Sequence, residues 1–203
     1  MKLVGLLFLC VLPIACATTS VQTDAVAPQA AQPSPNTMRI QIGGRSLDES
    51  DWSPVEDQVS FAFEFVREPA EAPIGFEIGT QFGLGGKEVH VSGSGDVDVA
   101  SIVSELYGGV HKTFFRDALI EPYVGGGLTL LYASFATDFG NSTTSDSDTT
   151  AGLYLRGGLQ THVAANLIIG IDLRAVFGTD INLFGTSGDA DYGQAAVFLG
   201  VGF

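Results

Sequence analysis

The histidines are the residues of this chain whose type could most readily support catalysis. His90 lies near Ser92, Ser94 and Asp96 in the sequence, and a histidine beside a serine can activate a nucleophile for acyl transfer. The spacing matches no known catalytic motif, and the chain has no nucleotide-binding loop and no Cys/His metal pattern. We therefore expect a non-enzymatic protein with no catalytic residue and no cofactor, and a lipid-modifying acyl hydrolase or transferase is the enzymatic alternative.

Closely spaced aspartates could instead bind a cation. Such pairs can ligate Ca²⁺ or bridge divalent ions between lipopolysaccharide phosphates, but they are also common in solvated loops. We expect solvated loops without a metal site, and Asp189 and Asp191 are the weak candidates for one. The pairs are Asp48/Asp51, Asp96/Asp98, Asp146/Asp148 and Asp189/Asp191.

The elements that position these residues are strands, and the last ten residues, QAAVFLGVGF, show the pattern best. Apolar side chains alternate with mostly small ones there, as they do in a strand with two different faces. The segment ends on the aromatic residue Phe203. Such a strand suits a barrel in a bilayer, because lipid offers unpaired backbone groups no hydrogen-bond partner.

Alternating segments fill the rest of the chain, and their connections differ in length. The connections after Arg67, Lys112 and Val163 are short, whereas long polar ones follow the other strands. Short turns at one end and long loops at the other are typical of outer-membrane barrels. The sequence therefore predicts an all-β fold, an eight-stranded antiparallel up-and-down transmembrane β-barrel over residues 38–203. Its strands are 38–47, 58–67, 74–84, 97–112, 121–135, 151–163, 167–177 and 194–203.

The make-up of the two strand faces predicts which face points inward. The apolar face is rich in Leu, Ile, Val and Phe, while the other carries small residues and a few charges of both signs. An arginine facing lipid would cost about 2–4 kcal/mol at the bilayer midplane, so we expect the charges inside. A soluble lipocalin-like binding barrel is the alternative. The predicted interior charge network consists of Glu64, Glu77, Glu105, Arg156, Asp172 and Arg174.

The first residues resemble an export signal. Residues 1–17 combine Lys2, an apolar run and small residues, which predicts a secretory signal peptide. Two processing routes remain open, because cleavage after Ala17 would discard Cys16, whereas a lipobox-like Pro13–Cys16 would leave Cys16 lipidated. Residues 18–37, rich in Ala, Pro, Gln, Ser and Thr, predict a disordered spacer.

The charge balance limits the classes of partner. The formal net charge is −14 with only 9 Lys+Arg, which excludes ordinary nucleic-acid binding. Both cysteines lie in the predicted leader, so we expect no disulfide in the folded part.

These features together resemble the small eight-stranded OmpA/OmpX-like barrels of the bacterial outer membrane. The resemblance rests on residues 122–128 (PYVGGGL), on the Leu/Arg/Gly strand at 153–159 and on Phe203. It implies an outer-membrane location, an N-terminus in the periplasm, extracellular long loops and a monomer in contact with lipid and lipopolysaccharide. It also implies a C-terminal signal for the outer-membrane assembly machinery, formed by Val197, Leu199, Val201 and Phe203.

The resemblance gives no activity of its own. From the charge-filled lumen and the acidic loops we expect a structural or surface-interaction protein. The alternative is a small-solute pore or a lipid-modifying enzyme.

Overall fold

The computed structural model describes residues 34–91, 95–116, 118–138 and 143–203. The predicted signal peptide, the lipidation candidate Cys16 and nearly all of the predicted spacer lie outside these residues. Ten strands and one short helix follow each other along the described chain. They are β1 (Asn36–Leu47), α1 (Glu49–Trp52), β2 (Asp57–Arg67), β3 (Gly75–Val91), β4 (Gly95–Thr113), β5 (Glu121–Asp138), β6 (Thr143–Ala164), β7 (Leu167–Phe177), β8 (Asp180–Leu183), β9 (Thr186–Asp189) and β10 (Tyr192–Gly202).

Eight of the strands close into a barrel, in the order β1-β10-β7-β6-β5-β4-β3-β2. Each strand is antiparallel to both neighbours, and β1 pairs with β10 from Thr37↔Gly202 to Leu47↔Tyr192. Where all eight strands are present, closure of the barrel gives each strand a hydrogen-bonded neighbour on both sides. The predicted all-antiparallel eight-stranded fold is confirmed. No helix within the described residues is both long enough and apolar enough to cross a bilayer.

The outer surface of the barrel is apolar and its interior is polar. Leu128 and Leu173 are 68% and 62% exposed on the outside, and Phe61, Tyr132 and Phe177 also point outward. Charged and amide side chains are buried inside. This distribution is the reverse of that in a water-soluble barrel and matches a barrel whose outer face contacts lipid. It does not fit the lipocalin-like alternative.

The wall of the barrel has two heights. β1, β2, β7 and β10 are 11 or 12 residues long, close to the 9–11 or so that cross the hydrocarbon. The four neighbouring strands β3 to β6 have 17, 19, 18 and 22 residues. They rise past the others, at the end opposite Asn36 and Phe203, as a four-stranded extension, which we call the projecting sheet.

The segments 85–95 and 137–150, which the sequence predicts to be long polar connections, are in part strands of the projecting sheet. Residues 85–91 belong to β3, residue 95 begins β4, residues 137–138 end β5, and residues 143–150 belong to β6. These segments show no hydrophobic alternation because the projecting sheet lies above the apolar band. The ladder of backbone hydrogen bonds forms these strands without an apolar face.

Two further loops contain regular structure and cover the mouth of the barrel. The helix α1 lies in the acidic loop after β1, and the hairpin β8–β9 lies between β7 and β10. The Trp52 Nε1–H donates to the carbonyl oxygen of Asp189 over 2.7 Å, which joins the helix to the hairpin. Buried apolar side chains fill the space beneath them, among them Leu47, Trp52, Val103, Leu131, Ala133, Ile181 and Ala190.

Candidate functional site

The barrel interior contains opposite charges in equal number at its centre. All six charged residues predicted to point inward are buried there, and the structure adds two arginines, Arg39 and Arg45. Four arginines therefore face four carboxylates. Burying such groups is tolerable only if each charge is paired and hydrogen-bonded. We call this set the interior network: Arg39, Arg45, Glu64, Glu77, Glu105, Arg156, Asp172 and Arg174.

Arg156 is the centre of one half of the interior network. Its Nη2 lies 2.7 Å from Asp172 Oδ2, its Nε donates to the same oxygen over 2.9 Å, and its Nη1 pairs with Glu64. Glu77 Oε2 lies 3.6 Å from Nη1, and Glu64 also pairs with Arg39 over 3.2 Å. One arginine thus connects carboxylates from β2, β3 and β7 across the full width of the lumen.

Arg174 forms the other half with Glu105. The two side chains are paired directly, and Glu105 also accepts hydrogen bonds from Tyr192 and, over 2.7 Å, from Thr129. The guanidinium carbon of Arg174 lies 4.0 Å and 4.2 Å from the ring centres of Tyr107 and Tyr154. Such cation–π contacts favour a cation that has lost its water.

The tyrosines join the two halves. Tyr107 donates to Glu64 over 2.9 Å and Tyr154 donates to Glu77 over 2.7 Å, so the two rings that contact Arg174 end in hydroxyls bound to the Arg156 half. Tyr123 donates to Asp172 over 2.5 Å. The tyrosine hydroxyls therefore donate hydrogen bonds to carboxylates that the arginines satisfy only in part. Side chains that bind one another fill the interior.

Arg39, Arg45 and the tyrosine donors were missed in the sequence. A signal for the arginines was present, because Met38, Ile40 and Ile42 alternate with Arg39 and Gln41, and Arg45 continues the same face. Arg45 Nε donates to Gln58 over 2.9 Å and its Nη2 to the Val103 carbonyl oxygen over 3.0 Å. Alternation therefore assigns these residues to the interior, but it gives no partners.

The end of the barrel with short turns is closed by a carboxylate. Glu68, in the turn after β2, accepts from the Thr113 backbone N–H and pairs with Arg116 over 2.7 Å and with Lys112 over 3.3 Å. Burial alone would raise the pKa of Glu68, but the hydrogen bonds from Arg116 and Thr113 outweigh it and lower that pKa. The cavity beside Glu68 measures only about 30 Å³.

The predicted cation candidates do not converge on a common point. Asp191 Oδ1 accepts from the backbone N–H and the hydroxyl of Thr179, and Asp51 accepts from the backbone N–H of Asp189 over 2.8 Å. Desolvation and the nearby carboxylates of Asp180, Asp191 and Asp51 raise the pKa of Asp189. Within the described ranges, no set of three or more His, Cys, Asp or Glu side chains is arranged to hold a metal ion.

The histidines are also dispersed. His90 lies between the predicted strands 74–84 and 97–112, but the structure places it in β3, while Ser92 and Ser94 lie outside the described residues. His111 is buried beside Glu77, with Nδ1 2.8 Å from Oε2, and His162 is exposed, 3.4 Å from Glu121.

The last strand lies where the barrel closes. Val197, Leu199 and Val201 point outward, and the Phe203 N–H donates to the Asn36 carbonyl oxygen over 3.0 Å. The Phe203 ring lies 6.4 Å from that of Phe65 on β2, and Phe65 lies 6.1 Å from Phe76 on β3. Aromatic contacts therefore extend from the last residue, past β1, onto the next two strands.

Comparison with known proteins gives similarity at the level of structure only. A scan against protein-family models finds no match, and neither does a search of curated proteins. Neisserial surface protein A superimposes with a TM-score of 0.59 at 19% identity, covering 84% of this chain and 98% of that one. The attachment invasion locus protein Ail of Yersinia pestis, solved with the heparin analogue sucrose octasulfate, gives a TM-score of 0.55 at 17% identity, with coverage of 82% and 96%.

A third solved structure also superimposes on this chain. A major outer membrane protein of Thermus thermophilus gives a TM-score of 0.57 at 10% identity, covering 82% of this chain and 98% of that one. Each of the three is matched over nearly its full length. Closed barrel, apolar exterior and structural similarity agree: this chain has the fold of the small eight-stranded outer-membrane β-barrels.

Proposed function

We propose that this protein is a surface-interaction protein of the bacterial outer membrane, in which a filled barrel anchors a sheet that projects from the cell. The single observation that carries the proposal is the height of β3 to β6. Their pairing continues to Val91↔Gly95 and Asp138↔Thr143, well above the last pairs with β2 and β7 at Leu84 and Leu153. A barrel that served only as an anchor would not need this extension.

The filled interior favours an anchor over a pore. A solute pore needs a continuous aqueous path, but paired arginines and carboxylates cross this lumen in two connected groups. The covering formed by α1 and the β8–β9 hairpin lies above them. The carboxylates of the interior network are each paired with an arginine or hydrogen-bonded to a tyrosine, which favours a non-enzymatic role.

The names of two structurally similar proteins agree with this role, since one is a surface protein and the other an attachment protein. For this chain we propose an orientation with the N-terminus in the periplasm and the projecting sheet outside the cell. Lipid and lipopolysaccharide would surround the apolar face, and the outer-membrane assembly machinery would insert a monomer. Val197, Leu199, Val201 and Phe203 would form its recognition signal.

Cysteine labelling of intact cells tests the orientation. The chain has no cysteine besides Cys10 and Cys16, so a single new thiol can be placed in a Cys10→Ser, Cys16→Ser background. We expect Ser145→Cys, on the exposed face of β6, to react with a membrane-impermeant maleimide, whereas Glu71→Cys, in the turn after β2, reacts only after lysis. Labelling of Glu71→Cys but not Ser145→Cys in intact cells would contradict the proposal.

A further inference from the structure

The outer face of the barrel carries a groove over β4, β5 and β6. On β5 the outward residues at this level are Val124, Gly126 and Leu128, and Gly126 pairs with Val110 on β4 and with Leu155 on β6. The four residues around Gly126 therefore have large apolar side chains, whereas Gly126 itself has none. The resulting depression is part of a groove of about 610 Å³, which we call the Gly126 groove and whose lining is almost wholly apolar.

The Gly126 groove extends from the end with the short turns into the apolar band. Its lining includes Lys112 at one end and Phe177 at the other. Lys112 pairs with Val124 on β5. Four residues further along β5, Leu128 pairs with Leu153, whose other neighbour is Phe177. Four residues of a strand measure about 13 Å. This length is close to the depth of one leaflet, which is about half of the ~30 Å hydrocarbon core.

Lys112 brings a positive charge to one end of the Gly126 groove. Its Nζ lies 3.3 Å from Glu68 Oε1, and Arg116 binds the same carboxylate over 2.7 Å. Two bases thus share one carboxylate, which also accepts from the Thr113 N–H. One positive charge among these three side chains is therefore not compensated within the cluster, and the Lys112 side chain is 32% exposed beside the groove.

The bases outside the interior network lie mainly at the end with the short turns. Among the described Lys and Arg side chains these are Arg67, Lys112 and Arg116, whereas Lys87 lies among the many carboxylates of the projecting end. An anionic headgroup is therefore repelled from the projecting end and attracted to Lys112. A second apolar groove of about 510 Å³, over β6, β7 and β10, has no base among its lining residues.

We propose that the Gly126 groove binds an anionic glycerophospholipid of the inner leaflet. One acyl chain lies in the depression at Gly126, and the phosphate pairs with Lys112. A zwitterionic headgroup binds less tightly, because its ammonium group needs an available carboxylate and Glu68 already binds Lys112, Arg116 and Thr113. The proposal rests on the membrane anchor and the orientation proposed above, and it names a lipid that the anchor selects from the bilayer.

Native mass spectrometry of the full-length protein, released from micelles, tests this inference. The probes are dioleoyl phosphatidylglycerol and dioleoyl phosphatidylcholine, which have the same acyl chains and differ in headgroup charge. We expect the wild type and Lys112→Arg to retain one phosphatidylglycerol about fivefold more tightly than phosphatidylcholine, as one lysine near a phosphate allows. Lys112→Gln should abolish this preference. Arg67→Gln removes an exposed base at the same end but outside the groove, and it should keep the preference.

Two glycine variants locate the acyl chain. Gly126→Leu fills the groove and should weaken the retention of both lipids severalfold. Gly44→Leu is the control, because Gly44 faces outward on β1, opposite β5, and an added Cβ there would lie 4.0 Å from the nearest atom. A Cβ at Gly126 would lie 3.1 Å from the Tyr154 carbonyl oxygen, so heat-modifiable migration verifies that this variant has folded. The Lys112 variants decide the proposal by themselves if Gly126→Leu does not fold.

Three results would each overturn the inference: equal retention of the two phospholipids by the wild type, equal effects of Lys112→Gln and Arg67→Gln, or equal effects of the two glycine variants in folded protein. Tighter retention of lipid A, the anionic lipid of the other leaflet, than of phosphatidylglycerol would overturn it as well. The labelling of Ser145→Cys and Glu71→Cys does not depend on lipid binding, so failure here leaves the anchoring proposal standing.

Discussion

At the scale of single residues, Arg174 illustrates why each buried charge of the interior network needs a partner. Its replacement by leucine would leave Glu105 buried without its cation, and breaking a buried ion pair in this way costs about 3–5 kcal/mol. We therefore expect Arg174→Leu, and equally Arg156→Leu, to lower the stability to urea in micelles by that amount. The control is Arg67→Leu, an exposed arginine, and an equal effect of all three would show that the interior network adds no stability.

The stability of the barrel should depend on the protonation of Glu68, at the end with the short turns. Its contacts with Arg116 and Thr113 lower its pKa below the usual 4.5. A carboxyl whose pKa is lower in the folded than in the unfolded state stabilises the fold above its unfolded pKa, and that stability is lost as the pH falls through the folded pKa. We expect Glu68→Gln to destabilise the barrel at neutral pH and to match the wild type once Glu68 is protonated, well below pH 4.5.

The urea midpoints of the wild type and Glu68→Gln across acidic pH provide the measurement. Glu71→Gln serves as the control, because Glu71 lies exposed in the same turn. A difference between Glu68→Gln and the wild type that stays constant with pH would contradict the assigned role.

For each interior residue, the sequence predicts which face of its strand carries the side chain, but it does not predict the partner of that side chain. Alternation placed Glu64, Glu77, Glu105, Arg156, Asp172 and Arg174 on the polar face, and the structure buries all six. Partners depend on strand register and on residues far away in sequence, such as Tyr107 with Glu64 and Tyr192 with Glu105. The periodicity of single strands does not contain that information.

At the scale of elements, the hairpin β8–β9 is held to β6 through Asp146 and Asp148. Replacing both with alanine removes the acceptors of the Asn182 and Phe184 N–H groups. We expect faster chymotrypsin cleavage after the half-exposed Phe184, with unchanged heat-modifiable migration of the barrel. Asp98→Ala, on β4, is the control, and cleavage of the double variant at the wild-type rate would show that the aspartates do not hold the hairpin.

Phe203 also acts at the scale of elements, because it connects strands that meet only when the barrel closes. Its ring contacts Phe65 and its N–H binds Asn36. We expect Phe203→Ala to reduce the yield of folded protein in the outer membrane, whereas Phe114→Ala, in an exposed turn, does not. A normal yield of folded Phe203→Ala protein in the outer membrane would contradict the proposed role of Phe203 in assembly.

The strand segments that sequence analysis missed have a common physical cause. Hydrophobic alternation reports a boundary between an apolar and a polar environment. Residues 143–150 of β6 carry Ser, Thr and Asp on both faces, so no such boundary exists there, and the pairing with β5 alone defines the strand. β7, by contrast, lies wholly in the apolar band, and its predicted bounds, 167–177, are those of the structure.

At the scale of the whole molecule, charge is distributed along the barrel axis. Twelve carboxylates with described side chains lie at the projecting end, where the described exposed basic side chains are Lys87 and His90. The carboxylates are Asp48, Asp51, Glu56, Asp57, Glu88, Asp98, Asp138, Asp146, Asp148, Asp180, Asp189 and Asp191. The net charge of −14 is therefore concentrated at the end that we place outside the cell, where it would attract cationic partners and repel anionic ones.

Single-channel recording in planar bilayers tests the central claim, a filled barrel that anchors a binding surface, most directly. Because the interior network and the covering of α1 and β8–β9 occupy the lumen, purified folded protein should give no steady current above that of the lipid alone. Insertion is verified by protease protection in the same membranes. A large, steady conductance from protein shown to be inserted would contradict the account, and the pore would then be the better description.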